Sequence, residues 1–262
     1  MSSSLLAISN LSVSFGGVEA LTNVSIDVPK NSVVGLIGPN GAGKTTVLNC
    51  ISGLVKSGSG TFAFEGVERE FPKPHELVDL GITRTLQGVG LFNELSVLQN
   101  VMVGADKNYK PNFMKELFGL SGKVEAGLKE RAEEALAWTG ATGLIGSKPS
   151  ELSYPDSKRV ALARALVINP KLLLLDEPAA GLGQDDIDAL AALIKQIKRR
   201  CSILIVEHHV DFVRDISDSV SVLNFGKLIA AGNFDEVKRN PAVIEAYLGH
   251  TDNPDENSKL GI

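Results

Sequence analysis

Residues 32–51 read SVVGLIGPNGAGKTTVLNCI. Val33 to Ile37 form a continuous apolar run, the pattern of a strand buried on both faces, and the run leads straight into a glycine-rich turn. Gly38 to Thr45 satisfy G-x-x-x-x-G-K-[ST] in full, and the segment from Lys44 onward, KTTVLNCISGL, reads as a helix. That order of elements has a chemical purpose. Glycines let backbone N–H groups curl around phosphate oxygens, and the helix N-terminus adds positive potential. A lysine here reaches the β- and γ-phosphates of a nucleotide, and the hydroxyl after it ligates Mg²⁺. Lys44 and Thr45 are expected in those two roles. Gly38, Pro39, Asn40, Gly41, Ala42, Gly43 and Thr46 complete the expected cradle.

A second stretch supplies acid groups. In LLLLDEP, residues 172–178, four leucines place Asp176 at the C-terminal end of a buried strand, where it is expected to hold the Mg²⁺ hydration shell. Glu177 is expected to polarise a water as general base. A strand ending in two acids says little alone. About a hundred and thirty residues after a complete phosphate loop, it points to nucleoside triphosphate hydrolysis.

Outward from these stretches the pattern alternates between strand and helix. Residues 5–37 show two-residue periodicity, with Leu11, Val13 and Phe15 on one face and Val24, Ile26 and Val28 on another. SILIVEH (202–208) reads as a further buried strand, DIDALAALIKQIKRR as an amphipathic helix, SVSVLNFGKLIAAG as a hairpin, and PAVIEAYLG as a helix before a polar tail. Between them the character changes. Ser96 and Gln99 fit a capping box, and residues 122–140 are helical, with Leu128, Ala132, Ala135 and Leu136 on the apolar side. The expected organisation is an α/β core over 1–87 and 157–262, with a parallel sheet and an N-terminal antiparallel β subdomain, interrupted by a helical subdomain over 88–156.

Composition narrows the function classes. The 262 residues are 44% hydrophobic, enough for one large or two modest cores, and a net charge of −5 argues against nucleic acid as the main partner. Cys50 and Cys201 lack metal-ligand spacing. The start, MSSSLLAISN, has no signal-peptide character, and no apolar run reaches about 18 residues, so the chain reads as soluble and cytoplasmic. The absence of an N-K-x-D motif disfavours a GTPase.

With these motifs in place, nearly the whole chain resembles the ATP-binding subunits of ABC transporters. The resemblance rests further on TRTLQGVGLF, LSYPDSKRVALARAL, LIVEH and LSVSFGGVEAL. It implies that Gln87 lies near the Mg²⁺ and the membrane-subunit interface, that His208 senses the γ-phosphate, and that Phe15 stacks on adenine. It implies a P-loop core carrying MgATP between two cassettes arranged head to tail, with Ser153 of one chain contacting the γ-phosphate held by the other. Leu91 and Phe92 are expected to line a groove for a membrane-subunit helix.

One segment departs from the family pattern. Tyr154-Pro155-Asp156 stands where the family has Gly-Gly-Gln. Proline has no N–H to donate, and a lost hydrogen bond to a charged oxygen costs roughly 1.5–3 kcal/mol. A carboxylate ~8 Å from a phosphate charge adds about 2 kcal/mol at an effective dielectric of ~20. Locally, however, serine, proline and an acid make a sound helix start. The helix is expected to form and its γ-phosphate contact to be degenerate.

Within the family, RTLQGVGLFNELSVLQNVMVG, AAGLG and NPAVIEAYLG look most like importers of branched-chain amino acids and related amides, and like the larger of their two ATPases. The resemblance implies membrane-spanning permease subunits and a second ATPase subunit as partners, a heterodimer ahead of a homodimer, and a place on the inner face of the cell membrane. A weakly hydrolysing regulatory subunit and the ATPase of a lipid or lipopolysaccharide exporter stand as alternatives.

Overall fold

The computed structural model of the protein describes residues 4–85, 88–105 and 122–248. Gln87 and the polar tail from His250 onward lie outside the described residues. The chain divides into two compact units, residues 1–77 with 174–262 and residues 78–173. The helical unit is thus wider than the 88–156 expected from composition. The reason lies in packing: the helix that starts after Ser153 shares one apolar core with the two helices before it.

In the first unit, β1 (Ser4–Phe15), β2 (Val18–Pro29), β4 (Ser59–Phe64) and β5 (Val67–Arg69) form an antiparallel sheet in the order β2-β1-β4-β5. Leu6, Ile8, Leu11 and Val13 of β1 are buried. The step from Ile8 to Leu11 breaks the period of two, and the register shifts there, with Asn10 at φ 54° absorbing the extra residue. Gly16 (φ 54°) and Gly17 (φ 86°) make the two-residue turn into β2, a type I′ conformation that matches strand twist.

The second sheet of this unit is built around β3 (Val33–Ile37), whose five residues are all buried. It pairs in parallel with β8 (Ser202–Val206) on one side and β9 (Ser219–Asn224) on the other. β10 (Lys227–Gly232) adds antiparallel outside β9, and β7 (Leu172–Asp176) lies outside β8. Phe225 (φ 44°) and Gly226 (φ 73°) form a second type I′ turn between β9 and β10. Helix α1 (Lys44–Ile51) follows β3. Further along, α6 (Gln184–Ile197) joins β7 to β8, and α7 (Val210–Ile216), α8 (Phe234–Val237) and α9 (Pro241–Leu248) follow. Ile37, Val213, Val222, Phe234 and Val243 meet in one buried cluster, which fixes the sheet against these helices.

The helical unit contains β6 (Ile82–Arg84), α3 (Val97–Ala105), α4 (Gly122–Trp138) and α5 (Tyr154–Leu166); the single turn α2 (Leu77–Leu80) leads into it. The capping box at α3 is realised in both directions: Gln99 N–H donates to Ser96 Oγ (3.2 Å), and Ser96 N–H donates to Gln99 Oε1 (2.9 Å). Val97, Val101, Leu128, Ala132, Leu136, Val160 and Ala163 form its core. Gly104 lets α3 approach α5 closely, since a Cβ there would lie 2.4 Å from the Arg164 carbonyl oxygen.

Candidate nucleotide site

The phosphate loop is shaped by contacts that exclude side chains. A Cβ on Gly38 would sit 2.0 Å from the Leu223 carbonyl oxygen, and one on Gly43 (φ 103°) 2.7 Å from Leu21 Cδ2. Ala42 N–H donates to Pro39 O (3.1 Å). Behind it, Gly226 N–H donates to Ala42 O (3.0 Å) while Thr22 N–H donates to Gly226 O (2.8 Å). The loop is therefore pinned from the β9–β10 turn and from β2. Helix α1 begins at Gly43 with no side-chain cap and no acid in its first turn, so nothing there cancels its N-terminal potential.

Lys44 is buried, and its Nζ donates to the carbonyls of Gly38 (2.7 Å) and Pro39 (2.9 Å). Burial pulls its pKa below the ordinary lysine value, against the opposing fields of Glu177, Asp176 and Glu207. Asp176 ends β7 and is buried, whereas Thr45 is exposed at the start of α1. A hydroxyl and a carboxylate are the hard oxygen donors that Mg²⁺ accepts, so this donor set fits that ion.

Glu177 leaves β7 in the left-handed region (φ 48°), which costs a non-glycine residue roughly 1–2 kcal/mol. Its N–H donates to Val206 O at the end of β8 (2.9 Å). His208 follows β8, with Nδ1 3.9 Å from Glu177 Oε1. Lysine, two acids and histidine are thus gathered at the C-terminal ends of three neighbouring strands, β3, β8 and β7, the usual ligand side of an α/β sheet. Phe15 stands 51% exposed at the tip of the β1–β2 hairpin. Val13 pairs with Leu21, and Leu21 borders Gly43, so Phe15 lies about 7 Å further along the strand from that contact.

In the helical unit, Ser153 caps α5. Its Oγ accepts from Asp156 N–H (3.2 Å) and donates to Asp156 Oδ2 (2.7 Å), and Asp156 Oδ1 lies 3.4 Å from Arg159 Nη1. Ser157 N–H donates to Ser153 O (2.9 Å), and Pro155 has no N–H.

Comparison with known proteins agrees with this geometry. Residues 21–180, more than half of the chain, match the ABC transporter family. The chain belongs to that family. Residues 227–253 of the cassette also match the branched-chain amino acid ATP-binding cassette transporter family. It is 37% identical over 254 residues to the high-affinity branched-chain amino acid transport ATP-binding protein LivG of Salmonella typhimurium, covering 95% of this chain and 99% of that one. It is 36% identical over 253 residues to BraF of Pseudomonas aeruginosa, with the same coverage. Among solved structures, an ATP-binding cassette of an ABC transporter in its ADP conformation superposes with a TM-score of 0.84 at 32% identity, over 95% of this chain and all of that one. Among the described residues of the cassette, no helix is long and apolar enough to cross a membrane.

Three contacts that shape these segments of the cassette escaped the sequence reading. Gly226, inside an ordinary hairpin signal, supports the phosphate loop. Asn100 is fully buried and both accepts from Phe92 N–H (2.8 Å) and donates to Phe92 O (3.1 Å), so that Phe92 stands 53% exposed while Leu91 packs on the helical core. Leu91 is half-buried against that core, beside the exposed Phe92. Glu207, fully buried directly after β8, is the third; a charge closing a largely apolar strand was its only signal in the sequence.

Proposed function

We propose that this cassette hydrolyses MgATP to energise transport of branched-chain amino acids, as one of two different ATPase subunits beneath membrane-spanning permease subunits on the cytoplasmic face. The convergence of Lys44, Asp176, Glu177 and His208 on one end of the parallel sheet supports the hydrolytic part. The match of residues 227–253 to the branched-chain amino acid cassettes, with near full-length relatives of that name, supports the cargo class.

In this reading Gly38 to Thr46 enclose the phosphates, and Lys44 leaves its two carbonyl partners to meet the β- and γ-phosphates. Thr45, Asp176 and Gln87 would hold Mg²⁺, which neutralises phosphate charge when bound. Glu177 orients the attacking water and takes its proton, and His208 stabilises charge on the γ-phosphate; positioning and electrostatics supply most of the rate. Phe15 offers its exposed ring to adenine.

The start of α5 supports unequal sites. Ser153, the group expected to reach a partner's γ-phosphate, already has its proton and a lone pair engaged by Asp156. This cassette would therefore hydrolyse its own ATP with a partner's intact signature, while the partner's ATP meets a blocked one. The test is transport in vesicles carrying the complex. Glu177→Gln in this chain should abolish leucine uptake and nearly all hydrolysis. Equal turnover at both nucleotide sites would overturn the asymmetry, and uptake surviving Glu177→Gln would overturn the reading.

A further inference from the structure

We propose that Glu207 is a positioning residue that locks the hydrolytic acid and the histidine sensor into one unit, with His209 completing the lock. The inference rests on the reading of Glu177 and His208 given above. Glu207 lies directly after β8 with no exposed surface. Burying an ionised carboxylate is costly unless both oxygens find hydrogen-bond donors. Here the donors come from two chain segments. Oε1 accepts from Ala179 N–H (2.7 Å), in the turn that follows Glu177. Oε2 accepts from His208 N–H (3.0 Å) and His209 N–H (3.3 Å), and faces His209 Nδ1 (3.2 Å).

The acceptor count decides a tautomer. A carboxylate accepts only, so the contact with His209 is a hydrogen bond when Nδ1 carries the proton. His209 is thereby assigned as the Nδ1–H form or the imidazolium, and it packs beside His208, with the ring centroids 4.3 Å apart. One carboxylate thus ties down both sides of the reacting centre. The turn Glu177–Ala180, which must hold Glu177 at φ 48°, is fastened at Ala179, and the segment bearing His208 is fastened at its own N–H. A left-handed non-glycine residue persists only where its surroundings over-determine it, and Glu207 provides one of those restraints. Neither Glu207 nor His209 needs to touch nucleotide for this role.

Glu207→Gln preserves size but aims an amide NH₂ at groups that are themselves donors. The experiment measures ATP hydrolysis by the transporter complex purified through this chain, with Glu177→Gln as control, and the ¹⁵N imidazole spectrum of the full chain without nucleotide. Glu207→Gln should lower kcat at least tenfold and leave KM for ATP within twofold. His209→Ala should lower kcat several-fold, and His209→Asn, which restores a side-chain donor, should recover part of it. The spectrum of the unmodified chain should show His209 protonated at Nδ1. A kcat within twofold in Glu207→Gln beside an inactive Glu177→Gln would overturn the proposal, as would a neutral His209 protonated only at Nε2. Turnover surviving in Glu177→Gln would instead overturn the assignment of the base, and the nucleotide-free spectrum would still decide the His209 contact. Should Glu207→Gln fail to fold, the two His209 variants carry the kinetic test.

Discussion

Two helix starts in this protein face the same problem of four unsatisfied N–H groups, and they solve it in opposite ways. Helix α1 begins at a left-handed glycine, with no side-chain cap and no acid in its first turn. Helix α5 begins at Ser153, whose hydroxyl and the Asp156 carboxylate hold each other, and Pro155 removes one donor outright. The first start gives up local stability and leaves its potential available to a phosphate. The second is well capped because it supplies its own anion. A helix end optimised for itself is closed to a ligand, and the proposal of one competent and one blocked half-site rests on that trade.

The sharpest way to break this comparison is to remove the key donor from each side. Lys44→Ala should raise the Kd for MgATP by a hundredfold or more, since charge-assisted bonds of about 1.5–3 kcal/mol each are lost. Ser153→Ala in the isolated chain should change that Kd less than twofold. Titration with a fluorescent ATP analogue reads both. Comparable losses in the two variants would show that α5 is not a closed start.

The next effect tests the trade itself. Pro155→Gly with Asp156→Gln reopens α5 by restoring an N–H and removing the internal anion. Hydrolysis by the purified chain at high protein concentration should rise on the order of tenfold to a hundredfold, from the roughly 3–5 kcal/mol of bond and charge penalties relieved in part. Stability should move the other way by about 1 kcal/mol, because a helix-start proline and an N-terminal acid are both lost. A higher rate together with a lower Tm supports the trade. An unchanged rate would mean that Asp156, with Arg159 beside it, does not obstruct a partner's phosphate.

The same contrast separates what the sequence made legible from what it did not. GPNGAGKT and LLLLDEP announce their strands, their turn and their acids because each residue has a local reason to be there: a glycine for a turn, an apolar run for a buried strand. The capping box at Ser96 and Gln99 and the apolar side of α4 were legible on the same grounds. Glu207 and Gly226 act across long separations, on Ala179 and on Ala42, and Asn100 acts through the loop before its own helix, on Phe92. Nothing within a few residues of them reports the partner, so composition and periodicity pass them by. The width of the helical unit escaped for a related reason: the apolar face of α5 is ordinary, and only its packing on α3 and α4 assigns it.

The smallest effects sharpen the comparison by separating the cradle from general stability, and two glycines serve. Gly226 holds a left-handed conformation (φ 73°), and a Cβ there would lie 2.6 Å from the Ala20 carbonyl oxygen. Gly226→Ala must therefore push β2 or the β9–β10 turn aside, at a cost of roughly 1–3 kcal/mol. Because Gly226 N–H holds Ala42 O, the displacement reaches the phosphate loop, and MgATP affinity should fall several-fold along with Tm. Gly127 in α4 is the opposite case: a Cβ there meets nothing within 4 Å. Gly127→Ala should stabilise the helical unit by about 0.5–1 kcal/mol, since alanine loses less backbone entropy in a helix. It leaves the Ser153–Asp156 contact untouched, so hydrolysis should stay where it was while Tm rises slightly. If that stabilised chain instead hydrolysed ATP faster, looseness of the helical unit would govern the rate, and the proposed block at the start of α5 would lose its explanatory role.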